Sequence, residues 1–216
     1  MKGLVIKDLY NVLNNGRGLL MMMLILAVAI VPTQSLIGYI IAGTVICSMM
    51  STTSFAIDHS YKWEQFAITF PIERKHIVKG KFITLFIFTM IGIILSIILG
   101  CLVAFMFNQF DMFKTTDVKE LGRIIIVSIS VALFFGTNSI VMLLKFGAEK
   151  ARMFLILSYV IPGAVITFVV KKLTDSGIIF TGEKLNQLLF ILPVFIIIWL
   201  GVSYILAVTI IKKKQY

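Results

Sequence analysis

Charge is scarce in this chain, and the places where it is missing are the most informative. Only 14% of the 216 residues are Asp, Glu, Lys or Arg, whereas 59% are hydrophobic. A soluble domain carries about 25% charged and about 45–50% apolar residues, so composition alone assigns the chain to the membrane. Residues 18–57, 82–110, 124–144, 153–170 and 185–211 contain no Asp, Glu, Lys, Arg or His at all. Ion-driven transporters usually hold ionisable groups at membrane depth. Their absence argues against a proton antiporter, while backbone carbonyls leave a Na⁺ site open.

Other absences narrow the chemistry. The two cysteines, Cys47 and Cys101, lie inside apolar runs and read as buried small hydrophobes rather than a disulfide or metal pair. Both histidines, His59 and His76, fall in one polar segment, and no H-E-x-x-H occurs, so zinc-protease and Ser–His chemistry have no residues to work with. There is no G-x-x-x-x-G-K-[ST] either: Gly80-Lys81 lacks the earlier Gly and is followed by Phe82. The chain carries no means of hydrolysing ATP, so any uphill work draws its energy from outside. A net charge of +10 invites nucleic acid, but the basic residues cap apolar runs instead of forming a tract interleaved with aromatics. No nucleic-acid partner is expected.

What is present is a set of apolar runs. A spanning helix needs about 20 apolar residues. The first run is twice that length, and Pro32-Thr33-Gln34-Ser35 supplies a turn in its middle. The expected fold is all-α and integral to the membrane, with six transmembrane helices near 18–32, 36–57, 82–107, 124–145, 153–170 and 187–211. Residues 1–216 form one transmembrane domain, with no 20–50-residue repeat and no room for a separate soluble domain. An even number of crossings puts both termini on one side. Fourteen of the twenty Lys and Arg residues flank the runs on that side, which makes it cytoplasmic.

Residues 1–17 precede the first run. Leu4, Val5, Leu9, Val12 and Leu13 recur at helical spacing, with Lys2, Lys7, Asp8, Asn11 and Asn14 largely elsewhere. That pattern predicts an amphipathic helix in the interface, stopped at Asn14-Asn15-Gly16. A cleaved signal peptide ending near Ala27-Val28-Ala29 is the competing and less favoured reading.

The longest polar segment is Asp58–Lys81, DHSYKWEQFAITFPIERKHIVKGK. Trp63, Phe66, Ala67 and Phe70 share one face of a short helix, which Asp58 or Ser60 is placed to cap. Pro71 breaks it, and Ile72-Glu73-Arg74-Lys75 opens a second helix that continues through Gly80 into the third run. The segment is either an interfacial linker anchored by its aromatics or a coupling helix that docks on a cytoplasmic motor.

Leu4-Val5-x-Lys7-Asp8-Leu9-Tyr10, followed by a membrane hairpin and then Lys62-Trp63-Glu64-x-Phe66-x-x-x-x-Pro71-x-x-Arg74-x-x-Ile77-Val78-x-x-Lys81, resembles an ABC-2 type transporter permease. It is most similar to the small permeases of bacterial peptide exporters, such as those that export phenol-soluble modulins. The resemblance implies an elbow helix at residues 2–15 and a coupling helix at 60–70. Lys62, Trp63, Glu64, Phe66, Phe70, Arg74 and Lys75 would then meet an ATPase subunit. It further implies two permease copies, identical or paralogous, joined to two cytoplasmic ABC ATPases that hold the ATP and Mg²⁺, with no cofactor expected in this chain. The working site would be the bacterial cytoplasmic membrane, and the cargo an amphipathic, toxin or antimicrobial peptide. The rival reading is a membrane scaffold or immunity protein that sequesters peptides without moving them. Two hydroxyl-bearing patches, Ser48, Ser51 and Thr52 in the second span and Thr137 and Asn138 in the fourth, are read either as helix packing or as a polar substrate path.

Overall fold

A computed structural model describes the backbone of residues 2–14, 16–33, 36–61, 63, 73–107, 118–175 and 182–213. Side chains are described over the same ranges except 59, 118–119, 148–167, 169–170, 173–175 and 182–191. Every regular element among these residues is a helix: α1 (Lys2–Leu13), α2 (Gly16–Ile30), α3 (Leu36–Ser48), α4 (Met50–Ser60), α5 (Arg74–Met106), α6 (Val118–Asp175) and α7 (Gly182–Lys213). Four described helical spans, Leu36–Asp58, Arg74–Met106, Glu120–Gly147 and Leu192–Lys213, are long and apolar enough to cross a membrane. The bent pair α1–α2 makes a fifth if it is one crossing. The expected crossing at 153–170 lies within α6, where the side chains other than Phe168 are outside the described residues.

The bundle is built inside-out relative to a soluble protein. Along α5, Gly92, Ser96, Gly100 and Ala104 face inward with Thr84 and Thr89, whereas Phe86, Ile94, Ile98, Leu102 and Phe105 are exposed. Hydrocarbon solvent explains the inversion. Apolar side chains gain nothing by leaving lipid, so helix contact rests on close packing of small residues. The inward hydroxyls bond back to their own helix: Thr84 Oγ1 donates to the Gly80 carbonyl at 2.9 Å, Thr89 Oγ1 to Leu85 at 2.9 Å and Ser96 Oγ to Gly92 at 2.6 Å. A Cβ added to Gly92 would stand 2.7 Å from Cys47 Cβ and 3.3 Å from the Thr44 backbone, so α3 and α5 touch there almost backbone to backbone. The apolar core joins Phe55 of α4, Val78 and Leu85 of α5, Leu133, Ile140 and Leu144 of α6, and Ile196 and Ala207 of α7.

Two helices have informative lengths. At 1.5 Å per residue, the 33 residues of α5 reach about 50 Å, beyond the ~30 Å hydrocarbon core. The polar turns Arg74–Lys81 therefore stand in the headgroup region, and the helix runs unbroken from them into the apolar run. The 58 residues of α6 are far too many for one crossing, and the helix breaks at Gly147 (φ 77°, ψ 170°). Only glycine adopts that left-handed conformation without strain, so the break is encoded where the charge-free run ends.

Candidate functional site: a buried ionic joint

At the polar end of the bundle, α1, α4 and α5 converge on four charged side chains. Lys81 Nζ donates to Asp58 Oδ2 at 2.6 Å, Asp8 Oδ1 at 2.9 Å and Ser54 Oγ at 3.2 Å, and lies 4.5 Å from the centroid of the Phe55 ring. Lys7 Nζ donates to Asp58 Oδ1 at 2.6 Å and stands 3.4 Å from Asp8 Oδ1. Ser54 Oγ donates to Asp8 Oδ1 at 2.9 Å. Asp8, Asp58 and Lys81 are 1%, 4% and 6% exposed. Charges this deep are tolerated only when paired and hydrogen-bonded, and two carboxylates against two ammonium groups leave the joint neutral.

Local sequence explains each placement. Asp8 lies one turn from Leu4 and one from Val12, so all three occupy the stripe of α1 that packs on the bundle. The Leu4 side chain in turn contacts Gly80, being 3.5 Å from where its Cβ would be. Periodicity placed Asp8 on the polar face of α1; the structure turns it inward, because cations from α5 and from α1 itself neutralise it there. Asp58 ends the charge-free run of α3–α4 and Lys81 immediately precedes that of α5, so both reach the same depth. Sequence reading took Asp58 or Ser60 as a helix cap. Instead α4 continues through both, and Ser60 Oγ donates to the Ala56 carbonyl at 2.9 Å.

The joint anchors both ends of the polar segment. On its upstream side, Lys7 Nζ sits 4.3 Å over the Trp63 ring, a cation–π contact between α1 and the start of the expected coupling helix. On its downstream side, Arg74 Nη1 donates to the Ile211 and Lys212 carbonyls at 3.1 and 3.2 Å, fastening the first residue of α5 to the last turn of α7. A cation at a helix C-terminus also opposes the macrodipole. Lys75 pairs with Glu73, whose exposed carboxyl is held below its usual range by that hydrogen bond and by the Lys75 charge. Lys62, Glu64, Phe66 and Phe70 lie outside the described residues.

The hydroxyl patches are packed rather than open. Ser48, Ser51 and Thr137 are buried, and Thr52 and Asn138 half-buried. Ser48, Ser51 and Thr52 donate to the carbonyls three residues back at 2.7, 2.9 and 2.6 Å, and Thr137 to Leu133 at 2.8 Å. The described residues contain no group of His, Cys, Asp or Glu suited to a metal ion.

A neutral, interlocked joint can hold helices together and pass a displacement between them. Comparison with family models finds one described as ABC-2 family transporter protein, matching residues 3–212. The chain belongs to the ABC-2 transporter family. Membership makes it a multi-pass membrane permease, with ATP hydrolysis on a separate ABC ATPase subunit. No curated protein and no solved structure matches the chain. Of the residues sequence reading nominated in the ABC-2 coupling segment, the structure describes Trp63, Arg74 and Lys75 and places the first two against α1 and α7. Asp8, Ser54, Asp58 and Lys81 were missed as a group; Asp58 and Lys81 border charge-free runs, whereas nothing local marks Asp8 or Ser54.

Proposed function

We propose that this chain is the permease half of an ATP-driven peptide exporter in the bacterial cytoplasmic membrane. In this reading it crosses six times with both termini in the cytoplasm, pairs with a second copy or a paralogue, and docks its coupling segment on an ABC ATPase holding ATP and Mg²⁺. The cargo is an amphipathic or apolar peptide, as in the exporters its motifs resemble. Alternating access would free the Ser48, Ser51, Thr52, Thr137 and Asn138 side chains, which are at least half-buried, to line the peptide's path.

The observation that carries the reading is the ionic joint at the root of Asp58–Lys81. A push on the middle of that segment is transmitted to α1 through Trp63 and Asp58, to α5 directly and to α7 through Arg74. A headgroup anchor has no need of buried charges fastening three helices.

Affinity purification in mild detergent from native membranes tests it. The expected result is a co-purifying P-loop ATPase whose hydrolysis responds to peptide, with Phe66→Asp removing the partner while leaving the permease inserted. A chain that purifies alone, with transport unaffected by Phe66→Asp, would favour the peptide-sequestering scaffold.

A further inference from the structure

On the outer surface of the bundle, α5 and α7 border a groove of about 490 Å³ lined by Lys79, Phe82, Ile83, Phe86 and Tyr204. The four α5 residues fall at i, i+3, i+4 and i+7, a single stripe about 10 Å long by the helical rise. Its two ends differ in chemistry. Lys79 stands at the polar end, exposed and without an acidic partner among the described residues. Phe82 meets Tyr204 edge-on at 5.6 Å and closes the floor. Phe86, 51% exposed, leads toward the hydrocarbon.

The rim is strongly basic. Lys75 lies one turn above Lys79, and Lys212 and Lys213 are exposed at the end of α7, which Arg74 holds against the start of α5. The rim's acid, Glu73, is engaged by Lys75. The first turn of α5 carries no side-chain cap, which leaves its positive dipole end facing the same region. Soluble anions would be drawn to the charges but would gain nothing from the aromatic floor. A second apolar helix would fill the floor but leave the lysines facing nothing. The combination fits one chemistry, an anionic head on an apolar tail.

We propose that this groove binds an anionic phospholipid, its headgroup phosphate on Lys79 and its first acyl segments along Phe82, Ile83 and Phe86. Basic pockets between transmembrane helices on the positively charged side recognise such headgroups. The lipid bridges α5 to α7, the two helices that Arg74 already joins. It therefore stiffens the side of the bundle through which a push on the polar segment travels.

Native mass spectrometry of the full chain, released from nanodiscs of mixed phosphatidylglycerol and phosphatidylcholine, tests this directly. The expected result is selective retention of phosphatidylglycerol, weakened about fivefold in Lys79→Gln, as for removal of one surface lysine. Lys79→Arg should keep it, Phe86→Ser should lose it with the charge intact, and Lys145→Gln, at an exposed lysine elsewhere, should leave it unchanged. Equal retention of both lipids, or no difference between wild type and Lys79→Gln, would overturn the proposal. So would a thermal stabilisation by inorganic phosphate alone that matches that of phosphatidylglycerol vesicles, because the site would then read only the free anion.

Discussion

Lys81 is the residue whose loss the joint should tolerate least. It donates to both carboxylates and to Ser54, and removing one member of a buried ion pair typically costs about 3–5 kcal/mol because the partner charge is stranded. Lys81→Met leaves two acids against Lys7 alone. We expect a fall in detergent thermal midpoint and in membrane abundance, read by fluorescence-detected gel filtration. Asp58→Asn in the same chain restores neutrality, so the double variant should recover part of what the single one lost. A double variant as unstable as the two single losses added together would mean the four groups do not act as a unit. This is also where sequence reading fell shortest. Helical periodicity sees only neighbours within a turn or two, so it assigned Asp8 to water. The Lys81 that justifies burying it lies on another helix, too far along the chain for any local pattern to reveal.

Helices were far easier to read than their contacts. Charge-free runs locate α3–α4, α5 and α7, and the leucine and valine spacing locates α1, because a membrane helix is legible from the solvent it must satisfy. Close packing is not, since it depends on which small residues face each other. The Gly38–Ala42 pair has the spacing of a packing motif, but spacing alone does not reveal that Gly92 packs against Thr44 and Cys47. Gly136 likewise faces the fully buried Leu85 side chain. Gly92→Ala should therefore destabilise by about 1–3 kcal/mol, the usual cost of overpacking. Gly122→Ala, where nothing lies within 4 Å, should be neutral or mildly stabilising in the same thermal assay. Similar losses in both would mean that helix flexibility, not contact, is what these glycines supply. The hydroxyls around Met49 teach a related lesson. Their clustering read either as helix packing or as a polar path, and Thr52 N donates to the Met49 carbonyl three residues back at 2.9 Å. The cluster thus coincides with a tightened turn between α3 and α4, as Ser and Thr back-bonding favours.

For the whole molecule the deciding quantity is parity. Four described spans, and a fifth if the α1–α2 pair is one crossing, would separate the termini. The sixth depends on the half of α6 beyond Gly147. A 58-residue α6 has about three times the length that one bilayer core requires, and its break falls beside Lys145, Lys150 and Arg152, where the positive-inside rule would end one crossing and begin another. Both termini should then share a side with the ionic joint. Lys2→Cys and Lys213→Cys, each introduced separately, test this with a membrane-impermeant maleimide. The native Cys47 and Cys101 sit in apolar helices and give little background. In intact spheroplasts neither new cysteine should label, and after permeabilisation both should. One labelled terminus would remove the sixth crossing. Two labelled termini would put Asp58–Lys81 outside the cell, beyond reach of any cytoplasmic ATPase, and the coupling reading would fall with them.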